Sequence, residues 1–279
     1  MSFQTDNSVL PASPIPHFHF LGGMASLSMR HFYYQTWFRT IAHQGVCVFA
    51  IDFRNSMTPS STGQPVAPYP AGLNDCVAGV HYLHATSEHH SIDTKRILLA
   101  GDSGGGNLTI ATALRLQRTN ELHLLCALYP MCPYIAGEWP QPEIYPSTIE
   151  NEGILLQLGP GNKHGYGVDG FNKQDPCCWP SFAKEQDVAD FPPIMVSVNE
   201  CDPLRDEGIE FYRLCVRSGV EGAQCRVVVG TCHAGELLGG VPDIAKETAR
   251  SIAAWTLGDE GFAMMRKRSR GQQQVVSKM

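Results

Sequence analysis

The chain has no apolar run approaching the ~20 residues that a membrane-spanning helix requires, and its first residues lack the basic, apolar and small-residue pattern of a secretory leader. Both absences point to a soluble protein in a cytoplasmic setting. Its ten cysteines include one adjacent pair, Cys177-Cys178, but no Cys-x-x-Cys and no cysteine and histidine spacing of a zinc site. They read as reduced thiols, and neither a metal nor a cofactor is expected. A basic surplus is missing as well. The tail from Arg266 onward carries five basic residues and no acid, which leaves 16 basic against 27 acidic residues, net -11, over residues 1–265. Nucleic acid and other polyanions are poor partners for such a body. No internal repeat divides the chain.

What is present is an ordinary globular composition. With 279 residues, 43% hydrophobic and 17% charged, the chain can bury a large core and falls in the range of one sizeable domain. Residues 1–16, polar and carrying Pro11, Pro14 and Pro16, read as a loose lead-in; residues 17–260 form the domain; residues 261–279 read as a basic, flexible tail. Short apolar runs of strand type occur at His17 to Phe20, Val46 to Ile51, Ile97 to Ala100, Leu124 to Tyr129, Ile194 to Val198 and Cys225 to Val229. Helical spacing occupies 31–43, 71–85, 107–118, 206–217 and 242–257. Phe32, Trp37, Phe38 and Ile41 mark the buried side of the first helix, and Leu73, Val77, Val80 and Leu83 that of the second. Such alternation predicts an α/β fold, a mostly parallel sheet with helices on both faces. Residues 133–180 break the rhythm with seven prolines and one short helix near Glu150 to Leu158. A long insertion of this kind is a lid or wall of a site.

Chemistry concentrates where strands end. Leu98-Leu99-Ala100 stops at Gly101-Asp102-Ser103-Gly104-Gly105, a Gly-x-Ser-x-Gly turn that lifts a serine hydroxyl clear of a sheet edge. Gly101 and Gly105 leave room for the strained turn, so Ser103 is the candidate nucleophile. A serine hydroxyl needs a base. Of eleven histidines, His233 directly follows the last strand in Gly230-Thr231-Cys232-His233-Ala234-Gly235, at the carboxyl edge where parallel sheets assemble their sites. His81, His84, His89, His90 and His123 fall on helices or polar loops and read as solvated, while His17 and His19 lie in the first strand. The base in turn needs an anion to hold its tautomer. Asp202 follows another strand and stands between Ser103 and His233 in the chain. Glu200, Asp206 and Glu207 compete, the last two fitting better as first-turn acids of a helix. The oxyanion formed on attack needs backbone donors. Gly104 supplies one, and Gly22 and Gly23, directly after the first strand, are placed to give the others.

These residues resemble one family, the hormone-sensitive-lipase-like branch of the α/β-hydrolases, also called bacterial family IV esterases. The likeness runs from about His17 to Leu257. It rests on Gly101-Asp102-Ser103-Gly104-Gly105-Gly106-Asn107, Asp202-Pro203-Leu204-Arg205-Asp206-Glu207-Gly208 and His233-Ala234-Gly235, with support from Asp52-Phe53-Arg54 and Tyr69-Pro70-Ala71-Gly72-Leu73-Asn74-Asp75. The resemblance implies an α/β-hydrolase fold and a Ser103, His233, Asp202 triad. It also implies hydrolysis of carboxylic esters with short to medium acyl chains through an acyl-enzyme on Ser103, without a cofactor. Two departures stand out. The family's His-Gly-Gly-Gly reads here as Phe20-Leu21-Gly22-Gly23 if Met24 keeps register, or as His19 followed by one inserted residue; either way a bulky residue replaces the first glycine, and a positive φ at Leu21 would be strained. Only 16 residues precede His17, without the family's N-terminal cap and two leading strands. An open pocket, or one completed by a second subunit, is therefore expected, with an exposed sheet edge that favours a homodimer. The alternatives are a catalytically weakened enzyme and a small-molecule binder of the same fold. The final Ser277-Lys278-Met279 resembles a variant peroxisomal address.

Overall fold

The computed structural model describes residues 15–21, 32–60, 63–237 and 240–258. Gly22, Gly23, most of the lead-in and the C-terminal tail with Ser277-Lys278-Met279 lie outside them. The chain runs β1 (Ile15–Leu21), α1 (Phe32–Ala42), β2 (Cys47–Ala50), α2 (Ala71–Ala85), α3 (Ser87–His90), β3 (Ile92–Asp102), α4 (Gly104–Arg118) and β4 (Ala127–Met131). It continues through α5 (Ser147–Glu150), α6 (Val168–Asn172), α7 (Glu185–Val188), β5 (Met195–Cys201), α8 (Arg205–Arg217), β6 (Gln224–Cys232) and α9 (Pro242–Leu257). The six strands form one sheet in the order β2-β1-β3-β4-β5-β6, and every neighbouring pair is parallel.

Alternation along the central strands explains why both faces are covered. On β3, Ile97 and Leu99 join a core with α2, α4 and α8, through Leu73, Val80, Leu108, Leu114 and Phe211. Leu98 and Ala100 point the other way, into a second core with Tyr34, Trp37 and Ile41 of α1 and Ala249, Ile252 and Trp255 of α9. A period of two thus feeds two helical layers, and each fully buried leucine contributes about 1.5–3 kcal/mol.

The α/β architecture and the long helices match the expectation, with differences at particular places. β1 begins two residues earlier than expected, at Ile15. Phe32, expected on the buried side of α1, is 62% exposed, and Tyr34 takes the inward place beside Trp37 and Ile41. The fourth strand starts at Ala127, because 122–124 form a tight 3-10 turn. The 133–180 segment holds two short α-helices, and neither is the one expected from Glu150 to Leu158: α5 ends at Glu150 and α6 begins at Val168. Gly153 at φ 80° and Leu155 at φ 68° are left-handed, which no continuing helix accommodates. The short α3 had no counterpart in the sequence pattern.

The parallel register fixes what stands at the carboxyl edge. Asp102 pairs with Met131, and Cys201 pairs with Cys232. Between β4 and β5 Met131 pairs with Ser197, so β5 and β6 run about four residues farther than β3 and β4 before they end; the residues that follow these four neighbouring strands at the carboxyl edge are Ser103, Cys132, Asp202 and His233.

Candidate active site

Ser103 caps the N-terminus of α4 with φ 56° and ψ -118°, the strained turn expected of an exposed nucleophile. Three main-chain bonds hold it: its N–H donates to Met131 O at 3.0 Å, and its carbonyl accepts from Tyr134 N at 3.0 Å and Asn107 N at 3.1 Å. The tightest steric demand in the motif falls on Gly106. A Cβ there would meet Met131 O at 2.8 Å and Pro133 Cα at 2.9 Å, both backbone. Gly104 opens α4, so its N–H has no acceptor within the helix and is free for an oxyanion.

The acid and base meet. His233 Nδ1 lies 2.8 Å from Asp202 Oδ2, and the other carboxylate oxygen accepts from Leu204 N at 2.9 Å. Asp202 has no exposed surface and His233 only 5%. Burial works against an imidazolium, but the adjacent Asp202 carboxylate and the Cys132 sulfur together outweigh it and raise the His233 pKa. His233 is presented by a tight turn closed by Gly235 N to Cys232 O and Leu237 N to Ala234 O, with Ala234 at φ 51°. Asn151 Nδ2 donates to Asp202 O at 3.1 Å and Glu200 O at 3.2 Å, so the 133–180 segment braces the acid loop.

The competing acids have other partners. Glu200 Oε2 accepts from Gly230 N at 2.7 Å. Asp206 accepts from Ser147 N at 2.7 Å and pairs with Arg205. Glu207 stands in the first turn of α8 as expected and is 1% exposed. Its carboxylate takes Ile135 N at 2.9 Å, Ala136 N at 3.2 Å and Trp139 Nε1 at 3.0 Å. Burial raises its pKa to about 8 against the pull of those donors. Both acids therefore tie α8 to the 133–180 segment. That segment is a packed wall: Trp139 and Trp179 are fully buried, and Asn107 Nδ2 binds Tyr134 O and Cys178 O. On the far side, Arg54 and Asp75 form a two-pronged ion pair with contacts of 2.8 and 2.9 Å, joining Asp52-Phe53-Arg54 to α2. Among the histidines read as solvated, His81 pairs with Glu121 and His84 Nε2 contacts Leu124 O.

Two further groups at this edge went unremarked in the sequence. Asp102, beneath Ser103, is buried and bonded by Tyr34 Oη at 3.1 Å. Burial lifts its pKa to about 7 despite His233 and Tyr34. Cys132, at φ 34° directly after β4, is 1% exposed, with its Sγ within 4.8 Å of a His233 ring nitrogen. The signal that would have singled it out is its place one residue past a central parallel strand.

Residues 17–236 match the family described as the alpha/beta hydrolase fold. Among solved structures, esterase Est22 is 48% identical, covering 89% of this chain and 74% of that one with a TM-score of 0.86; it is also known with p-nitrophenol. Brefeldin A esterase, a bacterial homologue of human hormone-sensitive lipase, is 32% identical, covering 90% and 70% with a TM-score of 0.81. Esterase LipI of Mycobacterium tuberculosis is 26% identical over 193 residues, which are 64% of this chain and 55% of LipI. The chain spans 55%, 57% and 60% of the length of three such curated relatives. With the strand-end serine, acid and histidine in this order, the chain belongs to the α/β-hydrolase fold family, on the branch of the bacterial hormone-sensitive-lipase homologues.

Proposed function

We propose that the chain is a serine carboxylesterase acting on short to medium acyl esters. The observation that carries this is the 2.8 Å contact from His233 Nδ1 to buried Asp202, on the same sheet edge as the strained Ser103. Ser103 Oγ attacks the ester carbonyl while His233 Nε2 takes its proton, and Asp202 stabilises the imidazolium. The negative oxygen is received by the Gly104 N–H, with Gly22 and Gly23 as the remaining donors of the proposal. Collapse expels the alcohol, which leaves with the proton from His233. Water then repeats the sequence on the acyl-Ser103, releasing the acid. No step needs a metal or cofactor. The names of the relatives, esterase and arylesterase among them, support the same reaction class.

Ten free thiols support a reducing, cytoplasmic setting, and no described helix is long and apolar enough to cross a membrane. Self-association belongs to the same reading. β6 is an edge strand on which Val227 is 44% and Val229 68% exposed, leaving main-chain groups and apolar surface for a second copy.

A panel of p-nitrophenyl esters graded in acyl length tests the reaction. Turnover is expected to peak at acetate or butyrate and fall for long chains. Activity confined to long chains, or none on any ester, contradicts the proposal.

A further inference from the structure

Four neighbouring strands deliver Ser103, Cys132, Asp202 and His233 to one edge, and the proposed mechanism uses three of them. Cys132 is left over, yet it lies close to His233. Its Sγ, a carboxylate oxygen of Asp202 and a ring nitrogen of His233 all lie within 4.8 Å of one another, and all three residues are buried. Sulfur, nitrogen and carboxylate oxygen are the donors that zinc-class cations take. Bonds of about 2.0–2.3 Å place the ligand atoms of a tetrahedral site about 3.3–3.8 Å apart. A contraction of about 1 Å closes the set, with the fourth position left for water. No sequence spacing announces such a site, because its ligands come from the ends of β4, β5 and β6.

We propose that Cys132, Asp202 and His233 form an inhibitory site for a thiophilic divalent cation of the zinc class. On binding, Cys132 releases its thiol proton to solvent and no electron changes hands. A cation on His233 Nε2 removes the lone pair that Ser103 needs. On Nδ1 it shifts the ring proton to Nε2 and opens the 2.8 Å contact to Asp202, which leaves Nε2 protonated and without a lone pair for Ser103. Either way the occupied site is silent, a consequence that rests on the triad reading, whereas binding itself does not.

The test uses the full chain, stripped with a chelator and titrated with Cd2+. The thiolate-to-cadmium ultraviolet charge-transfer band and hydrolysis of p-nitrophenyl acetate are followed together. One tight equivalent should build the band and abolish turnover, and EDTA should reverse both. In Cys132→Ala, and in Cys132→Ser should the alanine variant not fold, the tight step should vanish and half-inhibition should need at least about tenfold more cation. A tight step that persists in the folded variants overturns the site. Loss of the step with inhibition unchanged overturns its inhibitory role. The band reports the site even on a Ser103→Ala background, which separates its failure from failure of the esterase reading.

Discussion

Replacing Asp202 by asparagine changes one atom, and the structure dictates the result. Oδ1 accepts the Leu204 N–H at 2.9 Å and Oδ2 faces His233 Nδ1 at 2.8 Å. An amide can serve only one of these as acceptor. If its oxygen stays on Leu204, the NH2 faces Nδ1, and the imidazole proton is driven to Nε2, the nitrogen that must receive the Ser103 proton. The flipped amide instead buries donor against donor at Leu204, which costs about 1–3 kcal/mol. The blocked tautomer is therefore favoured by roughly fivefold to 150-fold at 1.36 kcal/mol per decade. Loss of the buried carboxylate's support for the imidazolium supplies the rest of an expected ~10⁴-fold fall in kcat. The pH profile carries a second signature. The active form is the neutral imidazole, and Asp202 raises its pKa, so removing the charge should move the acid limb of kcat/KM to lower pH. Steady-state kinetics of both proteins from pH 5 to 9 on p-nitrophenyl butyrate measures both. A loss smaller than tenfold, or an acid limb that moves upward, would refute the reasoning.

Glu207→Ala should destabilise more than any surface change. It strands the Ile135 and Ala136 N–H groups and the Trp139 indole, an expected cost of about 3–5 kcal/mol. Calorimetry should show a Tm lower by ~10 °C, and a shift within a degree or two would show that the carboxylate does not anchor the wall. Gly106→Ala puts a Cβ 2.8 Å from Met131 O, so α4 must move by about half an ångström and carry Ser103 with it. A drop of roughly tenfold in kcat/KM is expected, measured beside a thermal melt; unchanged kinetics would mean that the helix start absorbs the shift elsewhere.

How much of this could be read without the structure depended on whether the signal was local. α2 and α9 were legible to the residue because apolar spacing and a flanking or leading proline mark them. The helix expected from Glu150 to Leu158 was not legible, since Ile154 and Leu155 are apolar yet exposed on a run of turns. Ser103, Asp202 and His233 could be chosen because each follows a strand and the chain order is that of α/β-hydrolases. Glu207 was legible as a first-turn acid of α8, but its partners Ile135, Ala136 and Trp139 were not, because only the fold brings them to it. Cys132 was hidden for the same reason, being one of ten scattered cysteines until the strand order set it beside His233.

The central claim is that Ser103 is an activated nucleophile. Intact-mass measurement after exposure to a fluorophosphonate tests it most directly. The parent chain should gain one phosphonyl adduct, mapped to Ser103, and lose its activity on p-nitrophenyl butyrate in step. Ser103→Ala should gain no adduct and hydrolyse nothing above background. An unlabelled parent, or a Ser103→Ala protein that hydrolyses the ester at the parent rate, would contradict the account.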